Sequence, residues 1–202
     1  MNPDMSGKQA LRGELLAARA LLTSEDVAEA AAVLASAATA LPELADARTV
    51  AAYVSVGREP GTRVLLDALR RRGVRVLLPV LMDDNDLDWA EFEGADRLVA
   101  AGRGLREPDG ARLGPRAVLE ADAVLLPGLA VDGRGMRLGR GGGSYDRVLA
   151  RLAAAGAHPA LVVLLYDDEV VARVPEEPHD HLVDAVVTPA GTRRFRTGTA
   201  RG

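Results

Sequence analysis

The sequence predicts an α/β protein: a three-layer α/β/α single domain on a largely parallel, Rossmann-like open sheet, with a short antiparallel addition. Three observations carry this. Apolar, β-branched runs at 48–56, 74–80, 123–131, 160–166 and 185–189 alternate with segments of helical periodicity, the order that places helices on both faces of a parallel sheet. The chain has 202 residues, of which 48% are hydrophobic, enough for one well-buried domain and small for two, with no internal repeat or linker. A glycine cluster at Gly139, Gly141, Gly142 and Gly143 falls between an apolar run and a helical pattern, where bare N–H groups and a helix dipole favour an anion.

Taken in order, Ser6 is expected to cap a helix over 6–22, with Leu11, Leu15, Leu16 and Leu22 at helical spacing. Lys8 and Arg12 lie four apart and share one edge of it. Thr23 and Ser24 cap an alanine-rich second helix, 25–40, which Pro42 ends. Segment 48–56 reads as a buried strand. The loop 57–61 then sits at its C-terminal end, where open sheets place ligands, and holds Glu59, although most loop acids are simply solvated. Thr62 caps a helix to Arg72, and Gly73 stops it. After the strand 74–80, the acids of 83–86 lack EF-hand spacing and mark a hairpin tip. The alternating segment 87–92 follows as an edge or antiparallel strand, with Trp89 a packing residue.

Residues 97–114, broken by Gly102, Gly104, Pro108, Gly110 and Gly114, show no regular pattern, and irregular stretches of that length are often functional. The strand 123–131, the glycine loop and a helix over 145–155 come next, then a strand over 160–166 and a short helix over 168–172. A proline-bounded polar loop, 175–181, precedes the last strand. One domain is expected over 1–202, with 192–202 a basic, mobile tail.

Composition narrows the function. The formal net charge of −4 argues against a nucleic-acid binder. The absence of cysteine excludes disulfides, thiolate metal sites and a Cys nucleophile. Residues 1–8 lack the apolar core of a signal peptide, and no run approaches the ~20 apolar residues that span a bilayer, so a cytoplasmic protein without membrane contact is expected. Of 25 lysines and arginines only Lys8 is lysine. A position that keeps lysine in such a chain needs a compact ammonium, unless it merely survives on a solvated helix face.

The glycine loop fits neither familiar phosphate motif. In G-x-G-x-x-G read from Gly139 the third glycine falls on Ser144, and no lysine follows the glycines as a Walker loop requires. It is a phosphate loop of another kind or a flexible turn. Arg137, Arg140 and Arg147 supply anion charge, and Asp146 a possible metal ligand. His179, Asp180 and His181 could together bind a metal, but zinc ordinarily wants further ligands. Asp180 alone suits Mg²⁺, and a plain polar loop is the alternative.

The run Leu126-Pro127-Gly128-Leu129-Ala130 with Asp132, followed by Arg137-Leu138-Gly139-Arg140-Gly141-Gly142-Gly143-Ser144-Tyr145-Asp146-Arg147, closely resembles the signature of the 5-formyltetrahydrofolate cyclo-ligase family. Lys8-x-x-x-Arg12, the 55–62 loop, Glu107-Pro108, Pro178-His179-Asp180 and Val183-Asp184 resemble its other segments in the same order. The resemblance implies ATP- and Mg²⁺-dependent conversion of 5-formyltetrahydrofolate to 5,10-methenyltetrahydrofolate, with ATP and folate as small-molecule partners and a monomer or weak homo-oligomer. It implies that Lys8, Arg12, Arg137, Leu138, Gly139, Arg140, Gly141, Gly142, Gly143, Ser144, Tyr145 and Asp146 hold ATP. Val54, Glu59 and Tyr145 would contact the folate, Asp146 and Asp180 would bind Mg²⁺, and Lys8, Arg140 and Tyr145 would serve catalysis. The family's commonest form has two tyrosines before the aspartate where this chain has Ser144, and its Pro-Gly-Glu is here Gly57-Arg58-Glu59. The glycine loop alone leaves a second reading, a sugar-phosphate isomerase or CoA-transferase-like enzyme.

Overall fold

The computed structural model describes residues 3–195. Helix α1 (Pro3–Ala20) begins before Ser6, which therefore lies inside the helix rather than at its cap. Helix α2 (Ser24–Thr39) starts at a capping box in which Thr23 and Asp26 satisfy each other's backbone amides. The short α3 (Pro42–Ala45) leads to β1 (Thr49–Ala51), and α4 (Arg63–Arg71) to β2 (Arg75–Leu81) and β3 (Leu87–Glu91). Thr62 does not cap α4 with its side chain. Its hydroxyl donates to the Tyr53 carbonyl and accepts from the Ser55 amide, which closes the 55–62 loop on itself.

The expected irregular stretch 97–114 contains a hairpin of β4 (Leu98–Ala100) and β5 (Arg106–Pro108). The run 123–131 is two strands, because Pro127 and Gly128 interrupt it: β6 (Ala123–Leu126) belongs to the main sheet and β7 (Ala130–Asp132) to a small one. Next come β8 (Arg137–Leu138), α5 (Ser144–Ala154) and β9 (Ala160–Leu164). In place of a helix over 168–172 there is a 3₁₀ turn, Asp167–Glu169, and β10 (Val170–Val171). The last strands among the described residues are β11 (Ala185–Thr188) and β12 (Gly191–Arg194). Residues 192–194, expected in the mobile tail, are thus paired antiparallel to β11, and Phe195 is buried. The rest of the expected tail lies outside the described residues.

The seven-stranded sheet has the order β12-β11-β9-β6-β1-β2-β3. Its five central strands are parallel, and β12 and β3 close the edges antiparallel. Chain order reverses between β1 and β6, so their C-terminal ends diverge into a crevice, the switch point where such sheets bind ligands. Alternation of side chains makes two cores. Val50, Val76, Leu125 and Leu164 pack under α2 and α4, and Ala51, Leu77, Val124 and Val163 under α5. Trp89, fully buried, belongs to the second core, as its packing role requires. A third cluster seats Leu15 of α1 on Leu129, Met136, Leu138 and Val174 around the small sheet β10-β7-β8, which brings α1 over the glycine loop. Among the described residues no helix is long and apolar enough to cross a membrane.

Asp132 holds the small sheet to the segment before the last strand. Completely buried, it accepts from the amides of Arg134, Met136 and Val174 at 2.9, 3.2 and 3.0 Å and from the Arg134 guanidinium at 2.7 Å. Burial alone would push its carboxyl up, but Arg134 and the three amides outweigh it and hold the carboxyl below its ordinary value. A depressed folded value means the stabilisation is complete above the unfolded pKa and is lost as pH falls through the folded one. Asp132→Asn turns an NH₂ toward these donors. It is expected to lower unfolding free energy by about 3 kcal/mol at pH 7, and in urea titrations the gap to the parent protein should narrow as the pH falls below the ordinary aspartate pKa of ~3.9.

Candidate active site

The glycine loop lies between β8 and α5. Gly141 and Gly143 take left-handed φ values of 98° and 76°, and a Cβ at Gly141 would meet the Arg12 guanidinium at 3.4 Å. Gly143 occupies the N-cap position of α5 with no side-chain cap, so no cap side chain takes the first amides of that 11-residue helix, an arrangement suited to an anion. The loop walls a cavity of about 400 Å³ at the β1/β6 crevice. The same cavity is lined by Val54 and Glu59 beyond β1, by Pro127 beyond β6, and by Arg137, Gly139, Arg140, Gly141, Gly142, Gly143, Ser144, Tyr145 and Asp146. Sequence-predicted residues from the loop and from segment 54–59 are therefore brought together. Leu138, with the loop in sequence, is buried beneath it, its carbonyl accepting from the Leu129 amide.

Lys8 and Arg12 approach from α1. The Arg12 Nε donates to the Gly139 carbonyl at 2.8 Å, fixing α1 to the loop. Lys8 is not on a solvated face: it is buried, and its Nζ lies 2.7 Å from both Glu177 and Asp180. Burial alone would lower its pKa, but the hydrogen bonds it donates to Asp180 and Glu177 outweigh this and hold it above the ordinary lysine value. Asp180 also accepts from the Glu177 amide at 2.7 Å. Glu177, His179 and Asp180 can bring ligand atoms within 4.8 Å of one another, whereas His181 is outside that group. Asp146 stands apart from it. Its carboxylate pairs with Arg137 Nη2 at 3.2 Å and is about half exposed to the cavity.

Arg137 is buried, with Nη1 on the Pro127 carbonyl at 2.9 Å and Nε without a partner. Burial pushes its guanidinium down, against the charges of Asp146 and Asp180. Burial also raises the Tyr145 phenol, whose hydroxyl has no partner, so it remains a neutral donor. Glu59 is buried; one oxygen accepts from the Val56 amide at 2.9 Å and the other faces Arg140 at 3.5 Å. Arg19, unremarked in the sequence, crosslinks the loops around it, pairing with Glu169 at 2.6 Å and donating to the Gly128 carbonyl at 2.7 Å. The Tyr166 hydroxyl, next in that network, donates to the Arg58 carbonyl at 3.0 Å beside Glu59.

Sequence reasoning missed Tyr53, Arg103, Leu105 and Arg106 of the cavity wall, and Glu177 beside Lys8. The patternless glycine-rich stretch 97–114 was the available signal for three of these. Glu177 had none beyond its nearness to Asp180.

Residues 4–189 match the sequence profile of the 5-formyltetrahydrofolate cyclo-ligase family. A Mycolicibacterium smegmatis 5-formyltetrahydrofolate cyclo-ligase is 46% identical over 147 residues, 70% of this chain and 74% of that protein. The Escherichia coli K12 enzyme of that name is 34% identical over 177 residues, 85% of this chain and 94% of its own length. The solution structure of Aquifex aeolicus 5,10-methenyltetrahydrofolate synthetase superposes with a TM-score of 0.80 at 28% identity, covering 96% of each chain. With the glycine loop and Glu59 on one crevice of this fold, and Arg12 bonded to that loop from α1, the chain belongs to the 5-formyltetrahydrofolate cyclo-ligase family.

Proposed function

We propose that the chain cyclises 5-formyltetrahydrofolate to 5,10-methenyltetrahydrofolate at the expense of ATP, with Mg²⁺, releasing ADP and phosphate. The supporting observation is a single cavity that joins an anion-binding glycine loop to a buried carboxylate, Glu59, at the switch point of the sheet. In this reading the formyl oxygen attacks the γ-phosphorus of ATP and ADP leaves. The resulting iminium phosphate is attacked at carbon by N10, N10 loses its proton, and phosphate departs with the former formyl oxygen as the ring closes. Such transfers ask the protein for positioning and charge neutralisation rather than a nucleophile.

The amides of Gly139 to Gly143 and of Ser144 and Tyr145, with Lys8, Arg12, Arg137 and Arg140, hold the ATP phosphates, while Leu138 supports the loop from beneath. Val54 and Glu59 hold the pterin. The unpartnered Tyr145 hydroxyl is free to donate to the reacting phosphoryl or formyl oxygen. Lys8, Arg140 and Tyr145 are the groups assigned to catalysis.

Hard carboxylate oxygens suit Mg²⁺: Asp146 offers its own on the cavity beside Arg137, and Asp180 offers its own beside Lys8. Asp146 and Asp180 would hold the ion, which when bound supplies positive charge to the phosphates. Asp146→Asn is expected to raise the Mg²⁺ concentration for half-maximal rate by about 10-fold with an unchanged circular dichroism spectrum. The whole reading is tested by mixing purified protein, ATP, Mg²⁺ and 5-formyltetrahydrofolate and following methenyl absorbance. Folded protein that forms no methenyl product refutes it.

A further inference from the structure

Arg19 of α1 is buried and does not line the main cavity, yet it is bonded to segments that shape it. Its Nη2 donates to the Gly128 carbonyl at 2.7 Å, one residue on from the Pro127 carbonyl that Arg137 holds at 2.9 Å. Two buried guanidiniums, one from β8 and one from α1, thus grip the break between β6 and β7. Gly128 fits closely there, since a Cβ would meet the Val163 side chain at 3.1 Å. The Arg19 Nε and Nη2 also donate to the two oxygens of buried Glu169, at 2.6 and 2.9 Å.

Glu169 carries the constraint toward Glu59. One of its oxygens accepts from the Tyr166 amide at 3.0 Å, and the Arg19 guanidinium stands 5.7 Å from the centre of the Tyr166 ring. Held at its backbone and over its face, Tyr166 donates its hydroxyl to the Arg58 carbonyl at 3.0 Å. That carbonyl belongs to a loop closed on itself by bonds between Ser55 and Thr62 and between Val56 and Glu59. An anchor at Arg58 therefore fixes the neighbouring carboxylate. Arg19 and Glu59 also line one hollow of about 260 Å³ between α1 and that loop. Burial works against the Arg19 charge, but the hydrogen bonds and charge of Glu169, and then the charge of Glu59, hold its pKa above the ordinary arginine value.

We infer that Arg19 is a positioning residue for the folate: through Glu169 and Tyr166 it sets where the Glu59 carboxylate meets the pterin. The inference rests on the folate reading. The planar fork is essential, because Arg19 grips a carboxylate with two nitrogens while one of them also holds a carbonyl, and an ammonium does not reproduce those directions. Glu59 meets the pterin in the ground state and the transition state alike, so a displaced carboxylate should raise the folate KM and spare kcat.

Steady-state kinetics and urea unfolding of three variants test this. Tyr166→Phe deletes the hydroxyl and keeps the ring. Its KM for 5-formyltetrahydrofolate is expected to rise about 5-fold, the size of one hydrogen bond, with kcat and the KM for ATP unchanged. Arg19→Lys keeps the charge without the fork and should raise the folate KM about 10-fold. Arg19→Met combined with Glu169→Gln removes both charges together and leaves an acceptor for the Tyr166 amide, so its stability should stay near that of the parent protein. Its folate KM should nevertheless stay raised by about 10-fold. A merely structural pair predicts the reverse: with stability restored, the folate KM returns to the parental value, and that result overturns the assignment. An equal rise in the folate and ATP KM values also overturns it. If the double variant does not fold, Tyr166→Phe decides, and a parental folate KM there overturns the assignment. An active parent protein with these variants at parental KM removes the role of Arg19 alone, whereas a folded parent that forms no methenyl product removes the folate reading with it.

Discussion

Lys8→Ala is expected to lower kcat/KM for ATP by at least about 100-fold, equivalent to roughly 2.7 kcal/mol of transition-state stabilisation. The size follows from charge arithmetic around Lys8. Glu177 and Asp180 both lie 2.7 Å from Nζ, so two carboxylates face one ammonium and the trio is already net negative by one charge. Removing Lys8 leaves two neighbouring, largely buried carboxylates beside the proposed phosphate site. The variant therefore loses an attraction and gains a repulsion. Lys8→Arg should not restore activity, because a planar fork cannot take the place of a compact ammonium between two carboxylates. Adding Glu177→Gln to Lys8→Ala removes one negative charge and is expected to recover about 10-fold of the loss. Wild-type ATP kinetics in Lys8→Ala would refute the assignment. An unfolded Lys8→Ala combined with unaltered kinetics in Glu177→Gln would assign the trio to the fold.

The trio also shows which parts of the molecule are legible in the sequence. The rarity of lysine singles out Lys8, and the helical period places it beside Arg12. What sequence cannot show is that a loop about 170 positions later supplies its partners: Lys8 and Asp180 are separated by 172 residues. Long-range pairing of this kind is set by the seating of Leu15 on the small sheet, and that sheet was itself hidden. The run 123–131 reads as one strand because its residues are uniformly apolar. Pro127 and Gly128 divide it between two sheets, since a residue without an amide hydrogen cannot continue a central ladder. Local features, by contrast, were read well where the backbone requirement is local. The cap at Thr23, the stop at Gly73 with φ of 83° and the strand expected over 87–92 and found at Leu87–Glu91 depend on neighbours within a few positions. The glycine loop alone left an isomerase or transferase open, and the family match settles that choice.

Glu59→Gln is expected to raise the KM for 5-formyltetrahydrofolate by at least about 30-fold while leaving ATP binding nearly unchanged. Glu59 is held in place before any ligand arrives. Its Oε2 accepts from the Val56 amide at 2.9 Å, and the Arg58 carbonyl of the same loop receives the Tyr166 hydroxyl at 3.0 Å. The side chain is buried at the cavity wall, and the paired N–H and amino donors of a pterin can meet a carboxylate in a charge-assisted arrangement. Glutamine keeps the shape but presents an NH₂ in place of one oxygen. Either the Val56 amide or the pterin then faces a donor, and leaving such a buried partner unpaired costs about 2–3 kcal/mol. Arg140 complicates a simple charge deletion, because its Nη1 lies 3.5 Å from Oε1 and would be released toward the phosphates. That release acts on ATP in the favourable direction, so a drop in ATP affinity cannot be its consequence. Isothermal titration of a non-hydrolysable ATP analogue, alongside steady-state folate kinetics, separates the two sites. If ATP and folate binding fell together, Glu59 would belong to the nucleotide site or to the loop's structure. If neither moved, the pterin would bind elsewhere than beside the 55–62 loop.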